Sequence, residues 1–193
     1  MTGVRRLTPA EREAMTGVSW HPGCPVALDD LRLLTLPHRT FDGGTATGVL
    51  VSHHEVADTL VTVFARLHEI GYPVRLMEPV DVYGGDDHAS IEADNTSCFN
   101  GRPEEGSERW SQHALGWAVD LNPLENPYVY ADGTTTHPRS EHYLDRSVRR
   151  HPAVLLDGDP AVAAFEDAGW HWGGRWEGPV KDHQHFSRHP LGS

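Results

Sequence analysis

Apolar residues recur at helical spacing between residues 52 and 70. The apolar stripe consists of Val56, Leu60, Val63, Phe64 and Leu67. Residues three and four apart lie on one face of a helix. Ser52 and Glu55 have the spacing of a capping box, and Gly71 offers a helix stop. The pattern predicts an amphipathic helix from Ser52 to Ile70.

Helix start signals also occur near both ends of the chain. Thr8 is followed by a proline and, three residues on, by Glu11, which is typical of a capped helix start. Asp159 is likewise followed by a proline and an apolar stripe that stops at Gly169. We predict one short helix at each place.

Alternating and continuous apolar runs predict strands. Residues 30–41 form the first run, and the turn residues 42–44 lead to a partner strand near residues 48–51. Residues 73–82 also alternate, although Pro79 would interrupt the hydrogen bonds of such a strand.

Three further short strands are predicted at residues 117–121, 170–172 and 180–186. The chain also contains 19 Gly and 14 Pro, which favour turns. Together the elements predict a loop-rich α+β fold in which helices pack on a small antiparallel sheet. We expect a single domain at residues 20–187, an N-terminal extension with a short helix at residues 1–19, and a C-terminal tail at residues 188–193.

The charge balance excludes several classes of partner. The chain has 16 Lys and Arg against 28 Asp and Glu, a formal net charge of −12. Nucleic acids and anionic membranes attract clustered positive charge, so neither is expected as a partner. No apolar run approaches the roughly 18 residues of a membrane span, and we expect a monomer without membrane insertion.

The N-terminus does not resemble a secretion signal. Arg5 and Arg6 are followed by polar residues and a proline instead of an apolar run. As written, the sequence predicts a cytoplasmic location. Processing or release would instead place the protein in the cell wall or outside the cell.

The two cysteines leave the redox state open. Cys24 and Cys98 both lie in turn-rich segments, and either two free thiols or a single disulfide fits them. Neither belongs to a C-x-x-C motif, which disfavours a cysteine zinc site.

Histidine is unusually frequent, with 14 residues. Six of them are expected to be solvated or locally hydrogen-bonded. This group comprises His21, His38, His68, His137, His151 and His189. The triplet 53–55 reads His-His-Glu, which helix capping explains as well as a metal does. Two other segments, residues 111–120 and 181–186, are more informative.

The first segment contains His113 and Asp120. Seven residues of strand would separate them by about 23 Å, and seven residues of helix by about 10 Å. Both spans are too long for one shared metal ion, so the chain must fold back, and Gly116 permits this through a positive φ or a close backbone approach. Asp120 would then project beside the small Ala118. A simple strand end before Asn122 is the structural alternative.

The second segment offers the remaining groups of a metal site. His185 would complete a His, Asp, His set of the kind that catalytic zinc uses. Asp182 would lie close enough to act as a general base. His183 competes with His185 on strand period alone, but Phe186 encloses His185 better.

The two motifs together resemble a known family. S-x-H-x-x-G-x-A-x-D from Ser111 to Asp120, followed by D-x-x-H-F from Asp182 to Phe186, is similar to the VanY-like zinc D-alanyl-D-alanine carboxypeptidases and L-alanyl-D-glutamate endopeptidases. These are related to VanX dipeptidases and hedgehog-type zinc domains. The resemblance covers roughly residues 20–187.

The resemblance implies a hedgehog or D-Ala-D-Ala peptidase-like fold and one Zn²⁺ ion held by His113, Asp120 and His185. It also implies that Asp182 is the base for a water activated by zinc, and that the substrate is a peptidoglycan stem peptide or another small peptide. Relatives that cleave dipeptides use Glu as the base.

One feature departs from the family pattern. Many relatives carry a substrate-polarising Arg in a G-Y-R-S stretch, whereas residues 83–87 here read Tyr-Gly-Gly-Asp-Asp. Arg102 is our candidate substitute, since its guanidinium can bind an oxyanion or a carboxylate; a surface loop charge is the alternative. Ser111 is expected to hydrogen-bond within the site, and His183 to be a neighbour of the metal ligands. Trp172 is expected to form either the floor of the pocket or part of the core.

Other functions remain open from the sequence. A zinc-holding module of the same fold without catalysis, or a family member that processes another peptide, would retain the same ligands. An iron oxygenase also uses two His and one carboxylate, but with an H-x-D or H-x-E pair. The spacing of His113 and Asp120 does not fit that pair, and the retained Asp182 favours catalysis.

Overall fold

The computed structural model describes residues 2–104 and 106–189. The strands are β1 Gly3–Arg6, β2 Leu31–Arg39, β3 Thr45–His53, β4 Leu76–Met77, β5 Asn95–Thr96, β6 Ala118–Asp120, β7 Tyr128–Val129, β8 His171–Trp172, β9 Lys181–Asp182 and β10 His185–Ser187. The α-helices are α1 Pro9–Met15, α2 His54–Glu69, α3 Asp87–Glu92 and α4 Pro160–Glu166. Residues 190–193 of the predicted C-terminal tail lie outside the described residues.

The predicted α+β class is confirmed, with the strands divided among small sheets. β1, β2 and β3 form one antiparallel sheet, and β6, β10 and β8 form another in that order. β7 pairs with β9 antiparallel, whereas β4 and β5 pair in parallel. None of the described helices is long and apolar enough to cross a membrane.

The start of α2 differs from the prediction. Ser52 does not cap the helix, because it is still paired with Arg32 in the β2–β3 ladder. The cap is His53, whose Nδ1 accepts a hydrogen bond from the backbone N–H of Glu55 at 3.3 Å. The predicted end is confirmed, since the helix stops at Glu69 and Gly71 has a φ of +76°.

The long strand predicted at residues 73–82 is wrong. Only Leu76–Met77 forms a strand, and Val80–Tyr83 forms a 3-10 helix. Pro79 provides the physical reason, because it has no N–H to continue a strand ladder. The alternating apolar residues do not share a buried face either, as Val80 is buried while Val82 is 64% exposed.

The main core lies between α2, α4 and one face of each of two sheets. The apolar face of α2 packs with Leu34 and Leu36 of β2 and with Phe165 of α4. Phe165 stacks on Phe186 of β10 with ring centroids 3.9 Å apart and an interplanar angle of 14°. The core therefore packs against one face of β10, whose two edges are hydrogen-bonded to β6 and β8.

The predicted N-terminal extension packs against the predicted domain. β1 pairs with β2, and α1 begins at the capping box of Thr8 and Glu11, as the sequence predicts. Leu7 and Met15 join a second apolar cluster with Leu31 and other residues of the β2–β3 hairpin. These contacts cover the face of the β2–β3 hairpin that does not contribute to the main core.

Two buried asparagines fix the chain where it leaves β6. The Asn122 side chain donates to the Pro73 carbonyl and accepts from the Arg75 N–H. Asn126 donates to the Ala153 carbonyl and accepts from the Leu155 N–H. Because these bonds satisfy polar groups that the fold buries, this network holds the end of β6 against two distant segments, residues 73–75 and 153–155.

A buried carboxyl pair near this network predicts a pH-dependent stability. Burial raises the pKa of Glu125 to about 8, and the charge of Asp94, to which it is hydrogen-bonded, adds to the shift. The usual Glu value is 4.5. Between these pH values the folded chain binds more protons than the unfolded chain, so this pair makes stability fall as the pH rises.

Glu125→Gln is therefore expected to flatten this dependence, because the amide can donate to Asp94 without titrating. We expect its stability relative to the parent to rise by about 1–3 kcal/mol between pH 5 and pH 8. Urea unfolding at both pH values measures the change. The exposed residue Glu177, changed to Gln, controls for the loss of one negative charge; an equal change in both variants contradicts the assignment.

Candidate metal centre and active site

His113 is positioned by a short, capped 3-10 helix. The helix spans Gln112–Leu115, and the Ser111 hydroxyl accepts a hydrogen bond from the His113 N–H at 3.2 Å. Gly116 ends the helix with a φ of +68°. This left-handed residue folds the chain back into β6, in the way the sequence requires if His113 and Asp120 are to meet. Ser111 thus acts on the backbone of His113.

Strand pairing brings Asp120 next to His185. Asp120 is the last residue of β6, His185 is the first residue of β10, and the two are register partners in the antiparallel ladder. Partner residues in such a ladder project their side chains to the same face. The sheet register therefore bridges the long sequence separation between the two motifs.

Three side chains converge on one point. Nε2 of His113 lies 3.2 Å from Oδ2 of Asp120 and 3.3 Å from Nδ1 of His185. Nδ1 of His185 lies 3.1 Å from Oδ1 of Asp120. Ligand atoms bound at about 2.0–2.1 Å to a tetrahedral zinc ion lie about 3.3 Å from each other. The three residues fit one zinc ion, and both their types and their spacing suit that metal.

The other ring nitrogen of His113 supports this fit. Its Nδ1 lies 2.6 Å from the carbonyl oxygen of Cys98. Since a carbonyl only accepts hydrogen bonds, Nδ1 carries the hydrogen, and Nε2 can present its lone pair to a cation.

Both cysteines are free thiols. Cys98 is buried and Cys24 is partly exposed, so of the two alternatives left open by the sequence, the structure has two free thiols and no disulfide between them.

The protonation states of His113 and Asp120 depend strongly on their charged neighbours in the cluster. Burial favours neutral His113, but the adjacent Asp120 carboxylate outweighs burial and raises the His113 pKa. Burial likewise favours protonated Asp120, yet His113 and His185 outweigh it and hold the Asp120 pKa well below its usual range. The site therefore keeps an ionised carboxylate in a buried place, which is stable only beside positive charge.

Asp182 lies beside the cluster without belonging to it. Its side chain is buried, and its Oδ1 has no hydrogen-bond partner among the described residues. Burial raises the Asp182 pKa to about 7, with a further contribution from the charge of Asp120. A buried carboxylate with a free oxygen and a pKa near neutrality is suited to proton transfer.

The Gly pair at residues 173–174 makes room for Asp182 and Trp172. A Cβ on Gly173 would lie 2.4 Å from the Asp182 carbonyl oxygen, and a Cβ on Gly174 would meet the Trp172 ring. Both positions require glycine because another chain segment approaches the backbone closely.

Arg102 is half-buried and paired with an acid. One of its terminal nitrogens lies 2.7 Å from Oδ2 of Asp87, the first residue of α3. Its Nε is buried with no hydrogen-bond partner among the residues described. Both Arg102 and Asp87 act electrostatically on His113, so this ion pair lies near the cluster.

His183 and Trp172 face a different space. Residues 183–184 form a bend between β9 and β10, so the single strand predicted at residues 180–186 is divided and His183 is separated from the cluster. Trp172 packs in the core, and its indole N–H donates to the His183 carbonyl at 2.8 Å. A cavity of about 500 Å³ is lined by Arg146, Leu155, Leu156, Asp157, Trp172, Gly174, Arg175 and His183. Its lining does not include the three clustered residues.

Sequence reasoning missed three contributors, which are Trp176, the Cys98 carbonyl and Asp87. Trp176 lies beside His185 with ring centroids 5.8 Å apart, and its position before the D-x-x-H-F motif was the available signal. The Cys98 carbonyl, which orients His113, left no signal because a backbone group can come from any residue type. Asp87 is visible only as one of several acids in its segment.

The comparison with protein families agrees with this geometry. Residues 105–188 match the model of a family described as D-alanyl-D-alanine carboxypeptidase. The predicted family resemblance is confirmed. The match covers less than half of the chain, and it includes His113, Asp120, Asp182 and His185 but not Arg102. It supports a peptidase of the D-alanyl-D-alanine carboxypeptidase type. Searches of curated proteins and of solved structures gave no match.

Proposed function

We propose that the chain is a zinc-dependent peptidase that hydrolyses amide bonds of peptidoglycan stem peptides. The activity is of the carboxypeptidase type, which cleaves the D-Ala-D-Ala bond, or of the endopeptidase type, which cleaves the L-Ala-D-Glu bond. The observation that carries the proposal is the convergence of His113, Asp120 and His185 beside the buried Asp182, within the segment that matches the carboxypeptidase family.

His113, Asp120 and His185 would hold one zinc ion and leave a further position for other ligands. When bound, zinc lowers the pKa of water and polarises a carbonyl group. The Cys98 carbonyl fixes the His113 ring, and the β6–β10 register fixes the other two ligands relative to each other. The chain thus supplies a preorganised ligand set on two strands and a capped turn.

Asp182 is the general base in this proposal. Its free Oδ1 accepts the proton of the attacking water and then delivers that proton to the nitrogen of the leaving amine. The burial that raises its pKa favours proton uptake near neutral pH. One residue therefore serves both proton transfers, and the reaction forms no covalent bond between enzyme and substrate.

Arg102 is proposed to bind the oxygen of the scissile carbonyl or the terminal carboxylate of the substrate. The ion pair with Asp87 orients its guanidinium, and the side chain is 29% exposed, so a substrate oxygen can reach it. Donors placed at a developing oxyanion stabilise the transition state more than the ground state.

The remaining candidates have positioning or binding roles. Ser111 positions His113 through its backbone N–H. Trp176, partly exposed beside His185, would form an aromatic wall for a bound peptide. Trp172 and His183 line the neighbouring cavity and are hydrogen-bonded to each other, and they would support β10 and β9 from that side.

Metal removal tests the zinc requirement. Treatment with a chelator is expected to abolish peptide hydrolysis and to lower the midpoint of thermal unfolding, since an ion that binds only the folded chain stabilises it. Reloading with excess Zn²⁺, followed by desalting, should restore both. Elemental analysis measures the zinc content, a hydrolysis assay measures the activity, and thermal unfolding measures the midpoint. Full activity of the metal-free protein contradicts the proposal, and so does restoration by iron alone with oxygen consumption.

Analysis of the reaction products identifies which peptide bond the protein cleaves. Intact peptidoglycan and a short peptide that ends in D-Ala-D-Ala are incubated with the zinc-loaded protein, and products are identified by mass spectrometry. Release of a single D-Ala assigns carboxypeptidase activity, and an internal cut assigns endopeptidase activity. Absence of cleavage in both by a protein that retains its zinc rejects peptidoglycan as the substrate.

A further inference from the structure

A second group of side chains that could bind a metal lies along α3. His88 and Glu92 are four residues apart on this helix, which places them on the same face. His137 reaches them from the segment that precedes the 3-10 helix Pro138–Tyr143. One ligand atom from each residue lies within 4.8 Å of the others.

The contacts within this group are short. Nδ1 of His137 lies 2.6 Å from Oε1 of Glu92. The rings of His88 and His137 have centroids 4.5 Å apart and an interplanar angle of 31°. Two imidazoles and one carboxylate are a donor set that zinc accepts in a tetrahedral site with a solvent ligand in the fourth position.

The group is anchored on one side and open on the other. His137 is buried, and its backbone is held in a turn by the hydrogen bond from the Ser140 N–H to the His137 carbonyl at 2.8 Å. His88 is exposed, so solvent and ions reach the group from that side. Arg139 binds the Glu92 backbone carbonyl and leaves the carboxylate to His137.

We propose that His88, Glu92 and His137 form a second site for a divalent transition metal of the zinc class. The ion takes the place of the proton shared by His137 and Glu92 and recruits His88 as the third ligand. It joins α3 to the distant segment at residue 137. This assignment is independent of the proposed peptidase activity.

The second site has a consequence for the first. α3 begins at Asp87, the residue that pairs with Arg102. An ion bound at His88 and Glu92 restrains the helix that carries Asp87, and thereby the position of the Arg102 guanidinium. The site is therefore a clamp on the helix, whereas the ion at His113 acts at the reacting atoms.

Metal stoichiometry tests the proposal. The full chain is stripped with a chelator, loaded with Zn²⁺, desalted into metal-free buffer and analysed for zinc per chain. We expect two ions for the parent chain and one for His88→Ala. Glu92→Gln is the sharper variant, because its amide oxygen still accepts from His137 while the carboxylate ligand is lost. It should also bind one ion, and the exposed control His171→Ala should bind two.

The variant His185→Ala separates the two sites. It should retain one ion, which belongs to the second site. If the proposed catalytic site holds no metal, the parent binds one ion and His88→Ala binds none, which upholds the second site and rejects the first. Equal zinc content in the parent, His88→Ala and Glu92→Gln overturns the second site.

Discussion

Asp182→Asn is expected to retain zinc and to reduce peptide hydrolysis by about 10²–10⁴-fold, the range that a general base contributes. Asparagine has nearly the same shape as aspartate but cannot accept the proton of water. Asp182 is buried and is not one of the three clustered ligands, so neither metal binding nor packing should suffer. Zinc analysis and the kcat of the loaded variant measure the two effects.

His185→Ala is the matched comparison. It removes one of three ligands and is expected to lose both the ion of this site and the activity. The pair of variants therefore separates proton transfer from metal binding. Full activity in Asp182→Asn would falsify the assignment of the base, and loss of this ion from Asp182→Asn would move that residue into the ligand set.

Gly116→Ala is expected to have the largest effect on stability among the glycine changes considered. Gly116 has a φ of +68°, and a Cβ there would lie 2.6 Å from the backbone N of His53. The left-handed conformation costs about 1–2 kcal/mol in a residue with a Cβ. Forcing an atom into a packed place costs a further 1–3 kcal/mol, roughly. The free energy of unfolding should therefore fall by about 2–5 kcal/mol.

Gly158→Ala isolates the conformational part of this effect. Gly158 has a φ of +80°, but a Cβ there meets nothing within 4 Å. Its loss of stability should stay near 1–2 kcal/mol, approximately the conformational cost alone. Urea unfolding of both variants gives the difference, and zinc analysis of Gly116→Ala reports whether His113 has moved. Equal losses in both variants would show that the approach of His53 plays no part.

Three of the four described α-helices, α1, α2 and α4, were predicted because their signals are local, whereas α3 was not predicted. The apolar stripe of α2, the capping box of α1 and the start of α4 at Pro160 each depend on residues within one or two turns. The β2–β3 hairpin was equally accessible, since its turn residues lie between its strands. Ser52 failed as a cap because pairing with β2 extended β3 up to His53, and strand pairing is not local.

The candidate ligands His113, Asp120 and His185 were predicted from the sequence only in part by physical reasoning. Spacing indicated that the chain must fold back between His113 and Asp120, and Gly116 was the residue that permitted it. The family resemblance then favoured His185 over His183. Strand period alone left these two equal, and the bend at residues 183–184 that separates them arises from tertiary packing.

Two buried side chains, Asp182 and His137, show the same division. Asp182 was recognisable by its motif, but its raised pKa depends on burial and on the charge of Asp120, neither of which a sequence displays. His137 appeared to be a loop histidine beside a proline. In the folded chain it is buried against Glu92, 45 positions away in sequence.

By itself, the sequence determined the α+β class, the presence of α1, α2 and α4, the chemistry of the two motifs and the resemblance to the carboxypeptidase family. These depend on residue type and on spacing over a few positions. Tertiary structure alone decided that β6 and β10 pair in the register that joins Asp120 to His185, that Cys98 orients His113, and that Asp87 holds Arg102. The reason is physical: each of these contacts joins segments far apart in the chain, and only the packing of the whole core selects them.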